Sequence, residues 1–176
     1  MTTELKSANQ AEHTKSQAIF SHEKTAELIR RFGWQLCAVS GDINHFPFIY
    51  TIGNTECGIP ELLAIDCINP HVLNSLCTLM RKRRAPFWDG ELIELEYYKY
   101  PVKAFNTNYD AVRYTWQVED YYGCDTYAVQ QIVIPDSFGR YPGDPQCEAP
   151  SCLVPILKGK CRFREDAQPD FARIEK

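Results

Sequence analysis

Proton-transfer chemistry in this chain would have to start from its four histidines, His13, His22, His45 and His71, or from a well-placed carboxylate. No two of these imidazoles stand at metal-ligand spacing, and His13 lies in a polar N-terminal stretch. A base for serine or cysteine nucleophilic attack could only be His45 or His71. His71 falls in the first turn of an expected helix and reads as solvated. His45, in a loop before an aromatic strand, is the better candidate, set against the plainer reading of an exposed or structural imidazole. Glu61 opens an expected strand after Pro60 and could act as a general base. No acid or nucleophile is visible as its partner, which favours a carboxylate that accepts backbone N–H bonds and pins the loop. Asp136 and Asp144 stand in turn sequences, where carboxylates cap their own backbone. The sequence contains no G-x-S-x-G elbow, P-loop, G-x-G-x-x-G or H-E-x-x-H. No catalytic residue and no cofactor are therefore assigned.

Eight cysteines could bind metal or pair as disulfides. With no basic start followed by an apolar run at the N-terminus, they read as thiols of a cytoplasmic protein. Cys37, Cys67 and Cys77 sit inside apolar segments, where thiols pack as small hydrophobes. Cys147, Cys152 and Cys161 follow C-x4-C-x8-C, without the tight pair of a zinc knuckle, so no metal is expected.

The most suggestive segment is Trp116-Gln117-Val118-Glu119-Asp120-Tyr121-Tyr122-Gly123-Cys124-Asp125. Aromatic residues beside carboxylates are what protein interfaces use as anchors. Trp116, Glu119, Asp120, Tyr121, Tyr122 and Asp125 are the expected partner-binding residues. The plainer reading puts Trp116 and one tyrosine in the core while the acids face water; both can hold at once.

Positioning these residues requires a core, and 176 residues with 44% hydrophobic and 24% charged suffice for one domain. The net charge of −4 argues against nucleic acid, which calls for a basic footprint. The basic run Arg81-Lys82-Arg83-Arg84 suits the end of a helix, where cations complement the dipole. No stretch is long and apolar enough to span a bilayer. The expected organisation is a flexible segment over 1–20, an α+β domain over 21–163 and a polar tail over 164–176.

Helices are expected from Ser21 to Gly33, from Asn69–Pro70 to Arg81, and from Asn108 to Tyr122 with a stop at Gly123. Strands are expected at Trp34–Val39, Phe48–Ile52, Glu61–Cys67, Glu91–Tyr98, Tyr100–Phe105 and Tyr127–Ile134. Because strands mostly follow strands, the sheet should be antiparallel or mixed, with about three helices mainly on one side.

Four blocks carry a resemblance. They are Phe48-Ile49-Tyr50-Thr51-Ile52-Gly53, Pro60-Glu61-Leu62-Leu63, Gln131-Ile132-Val133-Ile134-Pro135-Asp136 followed by Gly139, and Tyr141-Pro142-Gly143-Asp144-Pro145. In order and spacing they resemble the bacterial family catalogued as domain of unknown function 4262, over about residues 25 to 157. The resemblance implies no reaction, since the family has none assigned. It also marks two departures: Ile59 where the family commonly has histidine, and Gly143 where it commonly has tryptophan. An activity resting on that imidazole would be lost here.

Small size, acidic charge, the acidic-aromatic segment and the missing catalytic motifs favour a cytoplasmic protein-binding module. The role expected is a bacterial immunity protein that neutralises a cognate toxin by docking its acidic-aromatic surface on a basic toxin domain. The alternative is a small hydrolase or cofactor-binding enzyme working near Tyr50, Glu61 and the Gln131 strand.

Overall fold

The computed structural model describes residues 21–43, 45–67 and 69–159. The expected N-terminal segment, the polar tail and Cys161 lie outside the described residues. Ser21 caps helix α1 (His22–Phe32) by accepting from Lys24 N. Gly33, at φ +90°, ends it and returns its N–H to the Ile29 carbonyl. Only glycine suits this corner, because a Cβ there would also stand 2.7 Å from Arg81 Nη1.

Strands β1 (Gln35–Val39), β2 (Phe48–Ile52) and β3 (Glu61–Ile65) follow, with a 3-10 turn at Thr55–Cys57 between the last two. Asn69 caps α2 (Pro70–Arg83), with Pro70 in the first turn, where its missing N–H costs nothing. Then come β4 (Leu92–Ile93), β5 (Val102–Asn106), a 3-10 turn at Tyr109–Arg113, α3 (Trp116–Tyr122), β6 (Val129–Val133) and a 3-10 turn at Ser151–Leu153.

The six strands form one mixed sheet in the order β1-β2-β3-β6-β5-β4. Every neighbouring pair is antiparallel except β3 and β6, which run parallel from Glu61 opposite Val129 to Ala64 opposite Ile132. The fold is α+β, as the element order indicated. The two central strands, β3 and β6, are buried at all five positions.

That double burial decides where the helices go. Leu62 and Ala64 face α2, whose Val72, Leu73, Leu76, Cys77 and Met80 pack on them. Leu63 and Ile65 face the other way, toward Ile29 of α1, Ala111 of the 109–113 turn and Val118 of α3. Both parities of the central strands are apolar, so both faces need cover. Helix α2 accordingly covers one face, and α1 with α3 covers the other.

Two elements are shorter than their sequence pattern suggests. The 108–122 helix breaks at Thr115, which leaves helical geometry at ψ 34°. Its hydroxyl lies 3.0 Å from the Tyr127 hydroxyl and 3.2 Å from the Ala111 carbonyl, a tertiary tie that outweighs helix propensity. The strand begun at Leu92 ends at Ile93, and the chain turns at Leu95–Tyr98. Among the described residues no helix is long and apolar enough to cross a membrane.

Candidate functional site

Glu61 stands at the start of β3 and is fully enclosed, at 0% exposure. Its Oε1 accepts from the backbone N–H of Gly53 (3.1 Å) and Thr55 (2.9 Å), the Thr55 hydroxyl (2.9 Å) and the Tyr122 hydroxyl (3.3 Å). Its Oε2 accepts from the Thr51 hydroxyl at 2.7 Å. Thr51 Oγ1 in turn receives Leu62 N–H at 2.8 Å and Asn54 Nδ2 at 3.3 Å. Burial pushes the Glu61 carboxyl above the usual range, against the pull of these hydrogen bonds. One carboxylate thus fastens the 53–57 loop and the end of α3 to the sheet. That is the loop-pinning role.

The acidic-aromatic segment is built outward from this hub. Tyr122 meets Glu61, and Tyr121 packs edge-on against Tyr122 with ring centroids 5.0 Å apart. Tyr121 donates to Glu56 Oε1 at 3.2 Å and stacks with His22 at 6.0 Å. His22 Nε2 lies 3.2 Å from Asp120 Oδ2 in an exposed pair. Gln117 accepts from the Tyr50 hydroxyl, which binds α3 to β2. With Val118, Tyr121 and Tyr122 inward, Trp116, Glu119 and Asp120 share the outer face at helical spacing. Trp116 is 41% exposed and so is not core, whereas Tyr121 and Tyr122 are half-buried. Asp125 is exposed beyond Gly123.

The other candidates separate into staples and surface groups. Asp136 accepts the backbone N–H of Phe138, Arg140 and Glu148 and the Arg140 side chain, all at 2.9 Å. Burial acts to raise its carboxyl, but these donors outweigh that and hold it down to about 2. Asp144 accepts from Gln146 N at 2.9 Å, the expected turn cap. Gln131 grips the C-terminal segment, donating to Pro155 O at 2.7 Å and accepting from Leu157 N at 2.8 Å. His45 pairs with Asp42 Oδ1 at 3.1 Å on the surface, and His71 is exposed near Tyr97. Neither is brought to Glu61. Ile59 is packed in the α2-side core, and Gly143 turns at φ +93°.

Cys37, Cys57, Cys67 and Cys77 are buried, and burial pushes the Cys37 and Cys77 thiols up to about 12. The seven described cysteines are unpaired. Among the described residues no group of three histidines, cysteines or acids could hold a metal; Cys161 lies outside them.

One cluster escaped the sequence reading. Arg81 leaves the end of α2 and donates through Nη2 to the carbonyls of Gly33 and Gly53 (3.3 Å to the latter). It lies over the Trp34 ring at 5.2 Å, a cation–π contact. Together with Arg30, Arg31, Glu56, Cys57 and Tyr121 it lines a cleft of about 630 Å³. The sequence offered only a basic run at a helix end. Arg83 of the same run makes a two-pronged pair with Glu91, at 2.6 and 3.2 Å.

Fold and site together define an α+β domain whose motif-borne polar residues hold its own loops. The chain belongs to the family described as Domain of unknown function (DUF4262), whose model matches residues 28–148. No curated protein and no solved structure matches it.

Proposed function

We propose that the protein is a binding module that docks a basic surface of a partner protein through the outer face of α3. The role envisaged is that of a bacterial immunity protein neutralising a cognate toxin in the cytoplasm. One observation carries the reading: α3 exposes Trp116 one turn from Glu119 and Asp120, while its inner face is bolted to Glu56 and Glu61. A rigid helix presenting an aromatic anchor among carboxylates loses little freedom on binding. Carboxylates there would occupy a nuclease's cationic cleft in place of phosphates. The alternative, an enzyme working from Glu61, needs a carboxylate open to substrate, and Glu61 is enclosed.

The test is to recover a basic partner from the native host, purify it and measure binding kinetics with charge-reversed and truncated variants. Asp120→Lys is expected to slow association about tenfold at low salt, with the gap closing as salt rises. Its thermal midpoint should barely move, because the His22–Asp120 pair is exposed. Trp116→Ala should instead speed dissociation and do so at any salt. Equal binding by Asp120→Lys, or retention of no basic protein, would discard the docking face.

A further inference from the structure

We propose that the cleft between α1, the 53–57 loop and the end of α2 binds a small ligand through a phosphate or carboxylate group, held by Arg30, Arg31 and Arg81. Arg81 is the reason. Its guanidinium is fixed by carbonyls of Gly33 and Gly53, by Asn54 Oδ1 at 3.5 Å and by the Trp34 ring. All of these are neutral. Among the described residues no carboxylate forms an ion pair with Arg81, Arg30 or Arg31. The Arg81 Nε is buried without a hydrogen-bond acceptor. A partly buried cation with no carboxylate in ion-pair contact among the described residues is costly unless an anion joins it.

The surroundings fit that anion. The lining holds three arginines and one carboxylate, Glu56, which accepts from the Tyr121 hydroxyl, so its formal charge balance is positive. Ile29, Phe32 and Trp34 supply apolar walls that strengthen the field inside a concave site. Cations in the last turns of α1 and α2 complement the helix dipoles, which accounts for the position of Arg30, Arg31 and Arg81. It leaves the Arg81 Nε without an acceptor, and the place of this side chain is guarded by the absence of one at Gly33. Guanidinium forks match the planar or tetrahedral oxygens of carboxylate and phosphate. A cleft of about 630 Å³ is of small-molecule size, larger than a bare ion requires. The cleft is separate from the outer face of α3, since Trp116, Glu119 and Asp120 are not in its lining, and it shares only Tyr121 and Glu56 with the support of that face.

The experiment is an NMR titration with inorganic pyrophosphate and, separately, with citrate, each against sodium chloride at matched ionic strength. The reporter is the Trp34 indole N–H, held by Asn74 Oδ1 at 2.9 Å beside Arg81. Saturable shifts are expected with at least one probe: pyrophosphate alone identifies a phosphate ligand, citrate alone a carboxylate, and both an oxyanion site at large. The exposed double variant Arg30→Glu with Arg31→Glu should weaken binding at least about tenfold. Should that variant melt early, Arg31→Gln alone should weaken it about threefold. A shift that does not saturate, that chloride reproduces, or that survives the charge changes overturns the proposal.

Discussion

Glu61→Ala is expected to lower the stability of the protein by about 2–4 kcal/mol, because one buried and one half-buried backbone N–H lose their acceptor, at about 1–3 kcal/mol for a fully buried group. Those groups belong to Gly53 and Thr55, and the hydroxyls of Thr51, Thr55 and Tyr122 lose the same partner. Glu61→Gln should cost less. A glutamine keeps one oxygen where Oε1 collects four of the five donors, and only the Thr51 contact must be remade. The pH dependence separates the two effects. The folded carboxyl titrates above its unfolded value, so the folded state holds the proton longer. Stability is therefore fully present below the unfolded value of about 4.3 and declines as pH rises from there to the raised folded value. Glu61→Gln removes the titrating group, and its urea midpoint should lack that decline. A Glu61→Ala midpoint equal to wild type would mean that the hub does not hold the loop.

Leu76→Ala should cost about 2–5 kcal/mol, the range for truncating a core leucine. Leu76 is fully buried on the face of α2 that packs on Leu62, Ala64 and Ile132. Leu79, one turn along, is 37% exposed. Leu79→Ala is the internal control, with an expected loss below about 1 kcal/mol. Denaturant unfolding of both variants reads the difference, and equal losses would place the wrong face of α2 on the sheet.

Leu79 also shows where reading the sequence stops. Its spacing joins it to Val72, Leu73, Leu76 and Met80, but the apolar stripe is wider than the surface it covers. Local chemistry was legible: the Ser21 and Asn69 caps, the Gly33 and Gly123 stops, and β2 at Phe48–Ile52. Each is decided by neighbours in the chain. The break at Thr115 and the early end of β4 depend on partners that arrive from elsewhere, so the pattern ran too long at both. The same holds for the site. Glu61 was recognisable as a loop pin because its donors at Thr51, Gly53 and Thr55 lie close in sequence. The Tyr122 contact was not. Arg81 carries only the local mark of a basic run at a helix end, since its carbonyl partners and Trp34 come from other elements. Of the expected interface, Trp116, Glu119, Asp120 and Asp125 are exposed, whereas Tyr121 and Tyr122 face inward and bond to Glu56 and Glu61.

The lone parallel pairing in the sheet sets an order of events during folding. Strands β1, β2 and β3 are joined by short connections and can zip together early. Pairing β3 with β6 must wait until α2, β4, β5 and α3 are gathered between them, so it carries the larger loop-closure entropy. Until then Leu62, Leu63, Ala64 and Ile65 form a bare apolar edge, open to pairing with another chain. Amides of β1 and β2 should therefore gain protection from hydrogen exchange before those of β6 in a refolding pulse-label experiment; simultaneous protection would refute the order. In a cell the same delay makes the yield of native protein a race between seam closure and self-association, won more often when synthesis is slow and dilute.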